Sequence, residues 1–154
     1  SGHIDHAGAA KELATKLNLN IIGPHIDDSF LLESLEIQGQ MYGMNAQNFI
    51  PDKWLKHEDS ISFGNQTLEI KHCPGHAPGH VIGINHKAKK IIAGDVLFNG
   101  SIGRTDLPRG NYQDLIDSIN HHLLILDDTY IVHCGHGPDT SIGHERKTNP
   151  FLNA

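Results

Sequence analysis

Ser1-Gly2-His3-Ile4-Asp5-His6 opens the chain and sets two imidazoles and a carboxylate within four positions. Folding alone gives little reason for that density of titratable side chains. Imidazole nitrogen and carboxylate oxygen are together the ligands of borderline divalent cations such as zinc. Pro74-Gly75-His76, Gly94-Asp95 and Gly135-His136-Gly137 add further candidates, each in a Gly-flanked turn. A site would then be assembled from distant parts of the chain. Metal-assisted hydrolysis is the chemistry this pattern points to first.

Working outward from the motif, Ala10, Leu13, Ala14 and Leu17 recur at three- and four-residue steps and predict a helix over 7–19. Residues 20–23 read as a short apolar strand, and Asp27 or Asp28 as the cap of a second helix carrying Phe30, Leu31, Ser34 and Leu35 inward. Residues 38–56 scatter Met41, Tyr42, Met44, Phe49 and Trp54 among Gly, Asn and Pro, which predicts a long loop. Residues 60–63 and 67–72 read as a hairpin, and 81–85 with 90–93 as another strand pair. Asn111 caps an amphipathic helix with Leu115, Ile116, Ile119 and Leu123 inward, and 129–133 reads as a buried strand. Strands and helices do not alternate strictly, which favours an α+β sandwich. His76, Asp95 and His136 each follow a predicted strand, so they would converge along one sheet edge.

The 154 residues suit one domain, 1–154, large enough to bury a core without staples. A net charge of −6 disfavours nucleic acid, and no apolar run reaches the roughly 20 residues of a membrane span. Cys73 and Cys134 read as reduced core thiols, which suits the cytoplasm. The chain starts inside its motif without Met, so a fragment truncated at the N-terminus is expected, with Ser1 a processing remnant.

The four motifs, in this order and spacing, resemble the signature of the metallo-β-lactamase superfamily. Residues 94–110 (GDVLFNGSIGRTDLPRG) and 135–152 (GHGPDTSIGHERKTNPFL) are similar to its small glyoxalase II-like hydrolases. The resemblance implies a four-layer αββα sandwich, here with the N-terminal part of the first sheet missing. It implies two zinc ions per chain, with iron or manganese as alternatives. The first ion would use His3, His76 and Asp95; Ser1 stands where the family's motif opens with a histidine. The second would use Asp5, His6, Asp95 and His136, with Asp95 bridging. The implied reaction is attack of a metal-bound hydroxide on a thioester such as a hydroxyacylglutathione, with Asp5 orienting the water. Many zinc β-lactamases carry cysteine near Asp95, so antibiotic hydrolysis is not expected.

Arg104, in Gly103-Arg104-Thr105-Asp106, is the candidate contact to the glutathione part, set against a salt bridge to Asp106. His80 is expected to support the site from behind; His121 and His122 read as surface residues, and His25 and His57 as solvated loop residues. Two other outcomes are open. An iron-dependent persulfide dioxygenase of the same superfamily carries a similar Gly-Arg-Thr-Asp stretch. A truncated, catalytically inactive member is the other. Substrate acyl group and oligomeric state are not legible.

Overall fold

The computed structural model describes residues 1–153. The first part of the chain is helical: α1 (Ile4–Ala7), α2 (Ala10–Leu17), a 3-10 turn (Ile26–Asp28), α3 (Ser29–Leu32) and α4 (Leu35–Tyr42). The strands β1 (Ser60–Phe63), β2 (Gln66–His72), β3 (Val81–Asn85) and β4 (Lys90–Gly94) follow, each antiparallel to the one before. A small hairpin, β5 (Leu97–Phe98) and β6 (Ser101–Ile102), leads to α5 (Tyr112–His122). β7 (Ile131–Cys134) pairs with β4 in parallel, β8 (Thr140–Ser141) returns antiparallel to β7, and α6 (Ile142–Thr148) closes the chain. The six-stranded sheet therefore runs β1-β2-β3-β4-β7-β8. Mixed strands with segregated helices make this an α+β protein, as the sequence predicts.

The topology explains where the motifs meet. β2 and β4 are both antiparallel to β3, so they run the same way, and β7 is parallel to β4. All three strands end at one edge of the sheet. His76, Asp95 and His136 follow those three ends.

One sheet face carries the core. In β4, Ile91 and Ala93 are buried while Ile92 between them is exposed, the period of two that a half-buried strand shows. Ile82, Ile84, Ile91 and Val132 pack with Leu115 and Ile119 of α5 and with Leu123 at its C-cap. Each such side chain contributes roughly 1.5–3 kcal/mol when fully buried, which fixes α5 against the strands that end at the site. A second cluster, Ile4, Ala7, Leu32, Leu35 and Phe49, holds α1 against α3 and α4.

Several expectations change. The helix predicted over 7–19 is split: α1 ends at Ala7 and α2 begins at Ala10, with Gly8 and Ala9 between them. The apolar stripe of α2 leaves Leu13 55% and Leu17 56% exposed, with no buried residue in that helix. The strand expected over 20–23 is a single bridge between Ile22 and Lys53. The predicted loop at 38–56 begins helically, since α4 continues to Tyr42. The described residues hold one large sheet and the β5–β6 hairpin, in keeping with the expectation that part of the first sheet is missing. No helix among the described residues is long and apolar enough to cross a membrane.

Candidate metal centre

Several contacts aim the polar side chains. The opening motif forms the start of α1, and the Ile4 N–H donates to Gln38 Oε1 (3.0 Å). Asp28, fully buried, accepts from Gly2 N–H through Oδ2 (2.8 Å) and from Gly79 N–H through Oδ1 (2.6 Å). One carboxylate thus ties the opening motif to the loop that carries His76. Asp28 makes no side-chain cap bond to α3, correcting the sequence reading; the cap at this turn is His25, whose Nδ1 accepts from Asp27 N–H.

The His76 loop lies on the first turn of α5. Gly75 has φ +140°, and a Cβ there would overlap the Leu115 backbone. His76 Nδ1–H donates to the Arg104 carbonyl (2.8 Å), which leaves Nε2 as the lone pair facing the cleft. Behind Asp95, His80 Nε2 accepts the Asp95 N–H at 3.0 Å. Gly135 N–H donates to Gly94 O (2.7 Å), clamping the β7 turn on the β4 turn.

The candidates His3, Asp5, His6, His76, Asp95 and His136 are brought together. Asp95 Oδ2 lies 3.2 Å from His6 Nε2, 3.4 Å from His76 Nε2 and 3.4 Å from His136 Nε2. Asp5 Oδ2 lies 3.0 Å from His136 Nε2 and 3.4 Å from His6 Nε2. One ligand atom each from Asp5, His6, Asp95 and His136 falls within 4.8 Å of the others. The His3 ring meets His76 edge-on, centroids 4.8 Å apart.

Two atoms test whether a cation fits. His3 Nε2 and Asp95 Oδ1, like His80 Nδ1 behind them, are buried and lack any hydrogen-bond partner. Buried polar atoms are nearly always satisfied, and here both belong to a set of imidazoles and carboxylates that suits a divalent ion. Burial, then the neighbouring His76, lowers the His3 pKa to about 4, so its lone pair is free at neutral pH. The hydrogen bond with Asp95 raises His6 against the effect of burial. Burial pushes the Asp95 carboxyl up, but the His6 hydrogen bond and the surrounding imidazoles hold it below the usual range.

The cleft over this cluster has a volume of about 610 Å3, with Tyr42, Met44, Phe98, Ile102 and Leu107 as apolar wall. Arg104 also lines it, and its guanidinium forks onto Asp106 at 2.6 and 2.8 Å. Of the loop aromatics, only Tyr42 reaches the cleft; Phe49 is buried in the helical cluster, with Trp54 packed against it. Cys73 is buried, which pushes its thiol up to about 12, and Cys134 is half-buried; both are free thiols. Sequence reasoning missed Asp28 and Gln38, because their partners lie 26 and 34 residues away and no local pattern marks them.

The pattern of the Metallo-beta-lactamase superfamily matches residues 2–136, the span that contains every one of these side chains. The chain belongs to the metallo-β-lactamase superfamily. Hydroxyacylglutathione hydrolase GloC of Haemophilus influenzae is 48% identical over 155 residues, covering 99% of this chain and 73% of that protein. Among solved structures, the B3 metallo-β-lactamase BLEG-1 superposes with a TM-score of 0.89 at 36% identity, covering 100% of this chain and 75% of its own. TTHA1623, solved in a di-iron-bound form, gives 0.89 at 36% identity over 99% of this chain and 74% of its own. Superfamily membership makes this a divalent-metal-binding fold, and the metallo-β-lactamase architecture expected from the motifs is the one found.

Proposed function

We propose that this chain is a metal-dependent hydrolase acting on thioesters of the hydroxyacylglutathione kind. The observation that carries the reading is the convergence of three imidazole Nε2 atoms on Asp95 Oδ2, beside the orphaned His3 Nε2 and Asp95 Oδ1. His3, His76 and Asp95 would hold one divalent ion, and Asp5, His6, Asp95 and His136 a second. A carboxylate with two oxygens in the site lets Asp95 serve both. Bound there, the ion polarises a carbonyl and lowers the pKa of water from 15.7 towards about 7.

The side chains of the cleft do the rest. Asp5, half-exposed at the mouth, accepts a hydrogen bond from an attacking water and orients it. The apolar wall around Tyr42 and Phe98 excludes bulk water from the acyl group. A departing thiolate has an ordinary pKa of only about 8.5, so no strong acid is required opposite it. Arg104 offers its outer face to an anionic thiol half. The 48% identity to a hydroxyacylglutathione hydrolase supports this substrate class. Zinc is the proposed ion, with iron as the rival, since a 36% identical relative is known in a di-iron form. Two free cysteines fit a reducing, cytoplasmic setting.

The test is hydrolysis of S-lactoylglutathione, read as loss of thioester absorbance, by chain stripped with chelator and reloaded with zinc or iron(II). Activity should vanish on stripping, return on reloading and be absent in Asp95→Ala. A fully loaded chain that leaves the thioester untouched overturns the reading. One observation favours a second substrate: the 36% identity to BLEG-1. A chromogenic cephalosporin in the same assay decides between the two.

A further inference from the structure

A second group of ligating side chains lies outside the cleft. His25, Asp27 and His72 each offer one nitrogen or oxygen within 4.8 Å of the others, and none of them lines the cleft. We propose that these three form a separate site for a borderline divalent cation such as zinc, nickel or copper.

The chemistry is that of a ligand set rather than of two stray histidines. His72 Nε2–H donates to the Pro78 carbonyl at 2.7 Å, which fixes its tautomer and leaves Nδ1 as the lone pair. A metal-binding histidine characteristically donates its second nitrogen to a carbonyl or carboxylate in this way. His25 Nδ1 lies 3.5 Å from Asp27 Oδ2 and accepts the Asp27 N–H at 3.1 Å. The His25 and His72 rings stack with centroids 4.0 Å apart and planes 6° apart. Burial, then the neighbouring His72, lowers the His25 pKa and favours its neutral form, the form that ligates.

As the rings stand, the His25 Nδ1 lone pair is taken by the Asp27 N–H and the two ring planes are parallel, so a cation would have to displace that bond and part the stack. Metal–ligand bonds of roughly 2.0–2.2 Å draw the three atoms closer than they now stand. His72 is anchored by Pro78, so the His25 ring turns and the exposed Asp27 carboxylate swings inward. More imidazole lies alongside: His72 N–H donates to His57 Nδ1 (3.1 Å), and the His57 and His122 rings are 4.9 Å apart. Lys71, the nearby cation, is already engaged by Glu58 and Glu69 at 3.6 and 3.3 Å. His25 N–H also donates to Gly79 O (3.1 Å), so a cation here would brace the loop that carries His76.

The experiment is zinc titration of the full chain, with uptake measured by equilibrium dialysis and the imidazole signals followed by NMR. Wild type, Asp27→Asn, His72→Gln and the cleft variant His136→Ala are compared. The His25 and His72 signals should shift on zinc addition in wild type and in His136→Ala alike. Asp27→Asn and His72→Gln should each weaken one class of uptake by more than about tenfold, while thioester turnover at saturating zinc is kept. Asp27 is exposed, so its variant decides the matter if His72→Gln misfolds. Unmoved His25 and His72 signals at saturating zinc, or uptake in Asp27→Asn equal to wild type in amount and affinity, overturn the proposal.

Discussion

His80 Nε2 accepts the backbone N–H of Asp95 at 3.0 Å, from a ring that is itself completely buried. The bond fixes His80 as the Nδ1–H tautomer and holds the turn that presents the Asp95 carboxylate to three imidazoles. Burial keeps this histidine well below its usual pKa, so it stays a neutral acceptor. His80→Leu removes the acceptor and leaves the Asp95 N–H unpaired, at a cost of about 1–3 kcal/mol, offset in part by loss of the His80 Nδ1–H, which is itself buried without a partner. Urea unfolding should read that loss, and zinc affinity of the refolded variant should fall with it.

Asp28 is the other hidden support, since its two oxygens hold Gly2 and Gly79 at once. Asp28→Asn keeps one acceptor and turns an N–H donor towards another N–H. The expected loss is about 1.5–3 kcal/mol, the range for hydrogen bonds to charged groups. Zinc affinity should drop further than it does for a surface variant of equal stability, because both ligand-bearing loops are released.

Gly75→Ala tests the seating of the His76 loop. The added methyl would run into the Leu115 backbone at a φ of +140°, where side chains are strained. A destabilisation of at least about 2 kcal/mol is expected from strain and overpacking together. Thermal melts of the metal-free chain check it.

What the sequence made legible follows the reach of each signal. His3, Asp5 and His6 lie within four positions, and His76, Asp95 and His136 sit at turns after strands, so their meeting could be anticipated. The hairpins β1–β2 and β3–β4 and the cap at Asn111 are local, and the Asn111 side chain does accept the Asp114 N–H at 2.9 Å. Asp28 was legible only as a helix cap, because its real partners come from both sides of it in the chain. The α2 stripe showed the helix over Ala10–Leu17 but not its exposure, because periodicity shows which face is apolar, not whether anything covers it. The stack of His25 on His72 joins residues 47 positions apart, beyond any local pattern.

Acid sensitivity of the metal-free chain carries a definite sign. His3 has a folded pKa of about 4 against an ordinary 6.5, so between those values the unfolded chain holds a proton that the folded chain refuses. Stability from this group therefore falls as pH drops from 6.5 to 4 and levels off below. His6 is shifted upward by Asp95 and acts in the opposite sense, its contribution being lost as pH rises through its folded pKa. His3→Gln should flatten the stability profile between pH 4 and 6.5, measured by urea unfolding at each pH.

Arg104 gives a kinetic prediction. Its fork onto Asp106 leaves the guanidinium at the cleft rim and holds the Asp106 carboxyl at about 2. Contact with an anionic thiol half is uniform binding, felt equally in ground and transition states. Arg104→Ala should raise KM for S-lactoylglutathione with kcat nearly unchanged, and should leave KM unaltered for a thioester with a neutral thiol half.

The most direct measurement is anomalous diffraction at the zinc edge from crystals grown with saturating zinc. The expected result is cation density bounded by Asp5, His6, Asp95 and His136, with further density beside His3 and His76. Crystals that show no anomalous peak among these six side chains would contradict a metal centre in the cleft, and the hydrolytic reading with it.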